Sequence, residues 1–263
     1  MAKSNRRRDE ARRAAAAVKV AEMRRAQQSA DRRRRALTIS AIVVVVIAAI
    51  VGIFVIVATH NSKTVAATSG GAGATKNYGF IVGKASSPVT LVAYEDFQCP
   101  HCEEFESMLG ATVDKNIAHG ELRVEYRPVS FLDEYSTRAL NAAVCVNRAG
   151  GSTAFKKFHD TLYANQPPEG GSGLPNSHLI TYANQALGKS NASVASCIND
   201  ETFKDWTVSA TDAFSKATAH YPSGASTPTV LMNGQVVSTA DLVQYQENPT
   251  VFQAAIDKAA SSS

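Results

Sequence analysis

The chain has 263 residues, with 27 Lys+Arg against 23 Asp+Glu, and its net charge of +4 averages two unlike regions. Met1–Arg35 holds 13 of the basic residues, 4 of the acidic ones and no aromatic residue that would stack on a base, so nucleic-acid binding is set aside. All four cysteines lie beyond residue 98, an even number that permits two disulfides in an oxidising compartment.

Residues 1–35 read as a basic cytoplasmic segment. Anionic headgroups attract such an arm at about 1 kcal/mol per basic residue near the surface. Ala36–Ala58 then runs for 23 residues without a charge, where about 20 suffice to cross a bilayer core. Its β-branched residues are no obstacle, because in lipid every backbone group is bonded within the segment. Arg32–Arg35 abut one end, so the positive-inside rule leaves the N-terminus cytoplasmic and the rest outside. A cleaved signal peptide is the alternative, with small residues at Ala66-Ala67, but its apolar region normally spans only about 7–15 residues. The expectation is a single-pass signal-anchor at the cell membrane. No cysteine closely follows the span to carry a lipid.

Residues 59–76, rich in Gly, Ala, Ser and Thr, form a flexible stem. Gly71–Lys76 lacks the adjacent Gly-Lys-Ser/Thr of a phosphate loop, and no strand precedes it. A folded domain is expected over 77–260. Val89–Tyr94 is a buried strand by its β-branched and aromatic content. Pro100 suits the first position of a helix, and Glu103, Glu104 and Glu106 fill its first turns, where the dipole favours them. Leu122, Val124 and Tyr126 alternate with polar residues as a second strand. Residues 133–221 lack strand patterning and read as helices with one loop, 166–175. Thr229–Met232 and Gln235–Val237 flank Asn233-Gly234, a pair suited to a type I′ hairpin turn. One helix over 240–259 closes the chain. The order is a single α/β domain interrupted by a helical module.

Cys99-Pro100-His101-Cys102 joins the first strand to its helix. A sulfur at a helix N-terminus faces unpaired N–H groups and the positive dipole end, both of which favour the thiolate. The thiolate is the reactive form. His101, when protonated, would stabilise it further, and Cys102 sits one turn on, placed to resolve a mixed disulfide. A redox pair is favoured over a plain cross-link or half a zinc site, since zinc usually takes a second close pair. No metal site is expected. His60, His119, His159, His178 and His220 show no ligand spacing and are placed at the surface or at helix ends. Trp206 is assigned to the core of an insertion helix.

The segment Glu95-Asp96-Phe97-Gln98-Cys99-Pro100-His101-Cys102 after a hydrophobic strand resembles the active-site segment of DsbA-like thiol:disulfide oxidoreductases, and the likeness extends over about 79–259. The resemblance implies a thioredoxin-like fold with an inserted helical subdomain, preceded here by the single transmembrane helix. It implies that Cys99 is the nucleophile, that Cys102 is the buried resolving thiol, and that the Pro100-His101 dipeptide favours oxidising behaviour. It further implies a cis Thr227-Pro228 peptide that docks extended substrate beside the sulfurs. A structural Cys145–Cys197 bridge is expected from similar relatives, with a second redox relay or free thiols as alternatives. Such a bridge would restrict the unfolded chain by about 4 kcal/mol. No cofactor is implied. The partners would be reduced exported proteins and a membrane quinone-linked reoxidant of the DsbB or vitamin K epoxide reductase kind, with the enzyme a monomer. Dithiol oxidation is preferred to reductase or isomerase activity, and to a noncatalytic tethered binding module. The chain departs from the family at Ala93, six residues before Cys99, where thioredoxin-like proteins often carry a buried acid. Glu95 and Asp96 are expected to face solvent or cap the helix, with a proton-acceptor role for either as the less favoured alternative.

Overall fold

The computed structural model describes residues 74–221 and 224–262. The basic segment, the apolar run 36–58 and nearly all of the stem lie outside the described residues, among which no helix is long and apolar enough to cross a membrane.

The central strand β2 (Val89–Asp96) enters helix α1 (Pro100–His119), which returns to β3 (Leu122–Val129), parallel to β2 with Val89 opposite Leu122 and Asp96 opposite Val129. A short strand β1 (Phe80–Val82), absent from the sequence reading, pairs antiparallel with β3. Three residues are too few to show a period, so β1 depends on Phe80 packing tightly against Phe155 and Trp206. The insertion comprises α2 (Glu134–Ala164), α3 (Asn176–Leu187), α4 (Ala192–Asn199) and α5 (Lys204–Thr218). The chain then rejoins the sheet as β4 (Thr229–Met232), antiparallel to β2, and turns through Asn233 and Gly234, both at positive φ, into β5 (Gln235–Val236). Sheet order is β1-β3-β2-β4-β5.

Where one closing helix is expected over 240–259, two occur: α6 (Thr239–Glu247) and α7 (Pro249–Ser261). Pro249 cannot continue a helix and disfavours helical backbone in Asn248 before it, which instead caps α7 by accepting from the Thr250 N–H.

β2 is covered on both faces, so it reads as a continuous apolar run. Leu91 and Ala93 join the main core with Phe105, Leu109, Phe155 and Phe252, while Val92 and Tyr94 pack with Phe214 of α5 on the other side. Burial of this kind contributes roughly 1.5–3 kcal/mol per large apolar side chain. It fixes the end of β2, and therefore the start of α1.

Candidate functional site

β2 ends in the turn Phe97-Gln98 and delivers Cys99 as the residue preceding α1, its backbone extended at φ −76° and ψ 118°. At this position a Ser, Thr or Asp side chain would normally accept from the N–H of the second or third helical residue. Here that position holds Cys99, whose Sγ makes no capping hydrogen bond as a thiol but as a thiolate is stabilised by the N–H groups of Cys102 and His101. The thiol is lowered from near 9 to about 5 by, first, a hydrogen bond from the Cys102 thiol; burial opposes this, and the Thr227 side chain and the N–H groups of Cys102 and His101 add to it. In the thiol form Sγ lies 3.4 Å from Thr227 O. His101 contributes its main-chain N–H, while its ring is exposed and sits 3.6 Å from the Glu104 carboxylate.

Cys102 has the opposite environment. It is fully buried, and desolvation, the Cys99 sulfur and the Glu95 charge push its thiol well above the usual value. The two sulfurs of one motif are thus held apart in acidity. Thr227-Pro228 is a cis peptide that meets this face through the Thr227 contacts. With His101, Met108, Leu242 and Val243 it lines an open groove of about 460 Å³ between α1 and α6.

The turn is anchored from below by Asp96. Its carboxylate accepts from Gln98 N at 2.9 Å, Phe131 N at 3.0 Å, Leu132 N at 3.4 Å and Ser136 Oγ at 2.5 Å. Burial raises its pKa to about 6, with these hydrogen bonds opposing. The insertion loop closes over the same segment: Gln166 Nε2 donates to Cys99 O at 3.1 Å, and Gln98 Nε2 to Pro168 O at 3.0 Å.

Glu95 and Asp96 were expected at the solvent or as a helix cap, yet both are buried, because β2 is the middle strand and its C-terminal end is roofed by α2. Glu95 Oε2 lies 3.2 Å from His159 Nε2, and His159 Nδ1 lies 3.0 Å from Asp160 Oδ1. His159 is therefore a core residue rather than a surface one. Nothing in its spacing marked it; only the fold carries α2 beneath Cys102. Glu106, one turn after Cys102 on α1, joins this group and is raised well above the carboxylate range, first by burial and next by the Glu95 charge. The i, i+4 spacing from Cys102 was a legible signal for Glu106. Ligand-type atoms of Glu95, Glu106 and His159 come within 4.8 Å of one another. Both ring nitrogens of His159 already face carboxylates, so the set is a hydrogen-bonded ionic cluster rather than an open metal site.

Cys145 on α2 and Cys197 on α4 form a disulfide, with Cα atoms 6.1 Å apart. His119 ends α1, and His178 and His220 are exposed. His60 lies outside the described residues.

The Thioredoxin family model matches residues 75–258. Among curated proteins, the chain is 28% identical over 130 residues to the serine/threonine-protein kinase PknE of Mycobacterium tuberculosis, covering 46% of this chain and 23% of the kinase. It therefore spans under a quarter of that relative's length. It is 26% identical over 169 residues to disulfide bond formation protein D of Bacillus subtilis, covering 64% of this chain and 73% of that protein. Among solved structures, reduced DsbA of Mycobacterium tuberculosis is 29% identical with a TM-score of 0.52, covering 70% of this chain and 98% of that one.

Proposed function

The chain belongs to the thioredoxin family over residues 75–258, and from that membership we propose that it is a DsbA-like protein thiol:disulfide oxidoreductase that introduces disulfides into exported proteins. The observation that carries the proposal is the split acidity of the pair: Cys99 at about 5 in the helix-capping position, Cys102 buried and held protonated. A substrate thiolate attacks Cys99 Sγ, the Cys99–Cys102 bond breaks, and its electrons pass to Cys102 Sγ, which takes up a proton. A second substrate thiolate then attacks the substrate sulfur of the mixed disulfide and expels the Cys99 thiolate. That leaving group is stable at neutral pH, so the reduced enzyme is favoured and the oxidised enzyme is a strong acceptor.

The groove beside Thr227-Pro228 suits an extended chain with an apolar side chain. Residues 1–35 and 36–58 would be the cytoplasmic arm and the anchor, and 59–76 the stem holding the domain outside. A quinone-linked membrane protein would reoxidise the monomeric enzyme. The test is trapping: with Cys102→Ala the resolving thiol is gone, and Cys99-linked mixed disulfides with exported proteins should accumulate. Their absence, with Cys99 still open to alkylation, would reject the assignment.

A further inference from the structure

The mechanism leaves one requirement unmet. Cys102 must gain a proton when the pair is reduced and lose one when it is oxidised, yet its side chain has no access to water. We propose that Glu95, His159 and Asp160 form a proton wire between Cys102 and solvent, a role that rests on the redox reading above.

The geometry is continuous. The Glu95 carboxylate lies close enough to Cys102 for its charge to act on the thiol, and its Oε1 is buried without a hydrogen-bond partner. An unpartnered carboxylate oxygen in a dry core is costly unless something reaches it transiently. Its Oε2 pairs with His159 Nε2, and His159 Nδ1 with Asp160 Oδ1. Carboxylates only accept, so with both partners ionised each ring nitrogen donates and the ring is an imidazolium. Burial opposes that charge, but Glu106, Asp160 and Glu95 together outweigh it and raise the His159 pKa. Asp160 is 43% exposed and opens, with Glu106, Asp114 and Lys156, onto a cavity of about 360 Å³.

The groups facing the wire come from three elements. Cys102, Glu106 and Asp114 lie on α1, Tyr126 on β3, and Lys156 and Tyr163 on α2 beside His159 and Asp160. Lys156 bridges Asp114 and Asp160, both at 2.7 Å, which holds the outer end in place.

On oxidation, Cys102–SH gives its proton to Glu95 as Sγ bonds to Cys99 Sγ and the departing thiolate leaves Cys99. His159 releases its Nδ1 proton through Asp160 to water, leaving a neutral ring whose Nε2–H still donates to the now protonated Glu95. One proton leaves for each disulfide formed, and reduction runs the same steps backwards. The wire thus occupies the place of the acid that Ala93 does not supply, from a residue two positions along the strand and a helix of the insertion.

The experiment uses reduced protein and dithiobis(nitrobenzoate). Attack by Cys99 releases a first nitrothiobenzoate, and closure by Cys102 releases a second, so the two phases read Cys99 and the wire separately. Glu95→Gln should leave the first phase unchanged, slow the second about 100-fold at pH 7, and move its pH profile upward. His159→Gln should do the same, and Asp160→Asn, at the exposed end, covers the case in which a core variant fails to fold. A purely electrostatic Glu95 predicts the opposite sign, because without its charge Cys102 ionises more readily and closure quickens. Unchanged or faster closure in Glu95→Gln and Asp160→Asn would overturn the wire while leaving the redox reading intact. A wild-type protein lacking the fast first phase would overturn both.

Discussion

The unequal acidity of the two thiols sets how the reduction potential must vary with pH. Reducing the Cys99–Cys102 bond adds two electrons and as many protons as the two sulfurs hold. Cys102, pushed well above the ordinary thiol value by burial, the Cys99 sulfur and the Glu95 charge, takes one proton across the neutral range. Cys99 takes none until pH falls to about 5. Each proton changes the equilibrium constant tenfold per pH unit, which for a two-electron couple is about 30 mV. The potential should therefore fall by about 30 mV per unit between pH 6 and 8, and by about 59 mV per unit below pH 5, where both sulfurs are protonated. Equilibration against defined thiol–disulfide buffers, acid quenching and maleimide labelling of the free thiols give the curve directly. A slope of about 59 mV through neutrality would mean that Cys99 is a thiol there, and the argument from its capping position would fail.

Three further outcomes can be measured. Replacing both Cys145 and Cys197 by alanine removes a cross-link closing 52 residues and should cost about 4 kcal/mol in urea unfolding, with the Cys99 reaction rate unchanged. Asp96 is more basic in the folded protein than in the unfolded chain, so it contributes stability below its unfolded value near 4 that is lost as pH rises through about 6. Wild type should accordingly lose up to about 3 kcal/mol between pH 4 and 7 relative to Asp96→Asn, and parallel curves for the two proteins would contradict that. Val243→Glu places a charge in the groove beside Thr227-Pro228. It should lower the oxidation rate of an unfolded protein substrate about tenfold, a loss of about 1.4 kcal/mol, without changing reaction with a small thiol.

Much of the fold was legible because its signals are local. Pro100 and the acidic first turns marked α1, alternation marked β3, and Asn233-Gly234 marked the hairpin. The insertion showed as a long stretch without strand pattern, and its loop was placed within a residue or two. What escaped depended on packing at a distance. β1 is held by aromatic contacts with residues about 75 and more than 120 positions away. Glu95 and Asp96 are polar residues at the end of an apolar strand, a pattern that ordinarily marks the surface; only the roof of α2 buries them. His159 stands 57 positions after Cys102, and its place under that thiol follows from how α2 crosses the sheet. Pro249, by contrast, was a local signal, and the helix break at Asn248 could have been read from it.

The most direct measurement is the rate at which iodoacetamide alkylates Cys99 in the reduced protein, followed by mass spectrometry across pH 3 to 10. Cys102 is shielded, so a single titration should appear, with a midpoint at about 5 and a plateau through neutral pH. A midpoint near that of free cysteine, about 8.5, would show that the start of α1 does nothing for this sulfur and would remove the basis for an oxidase.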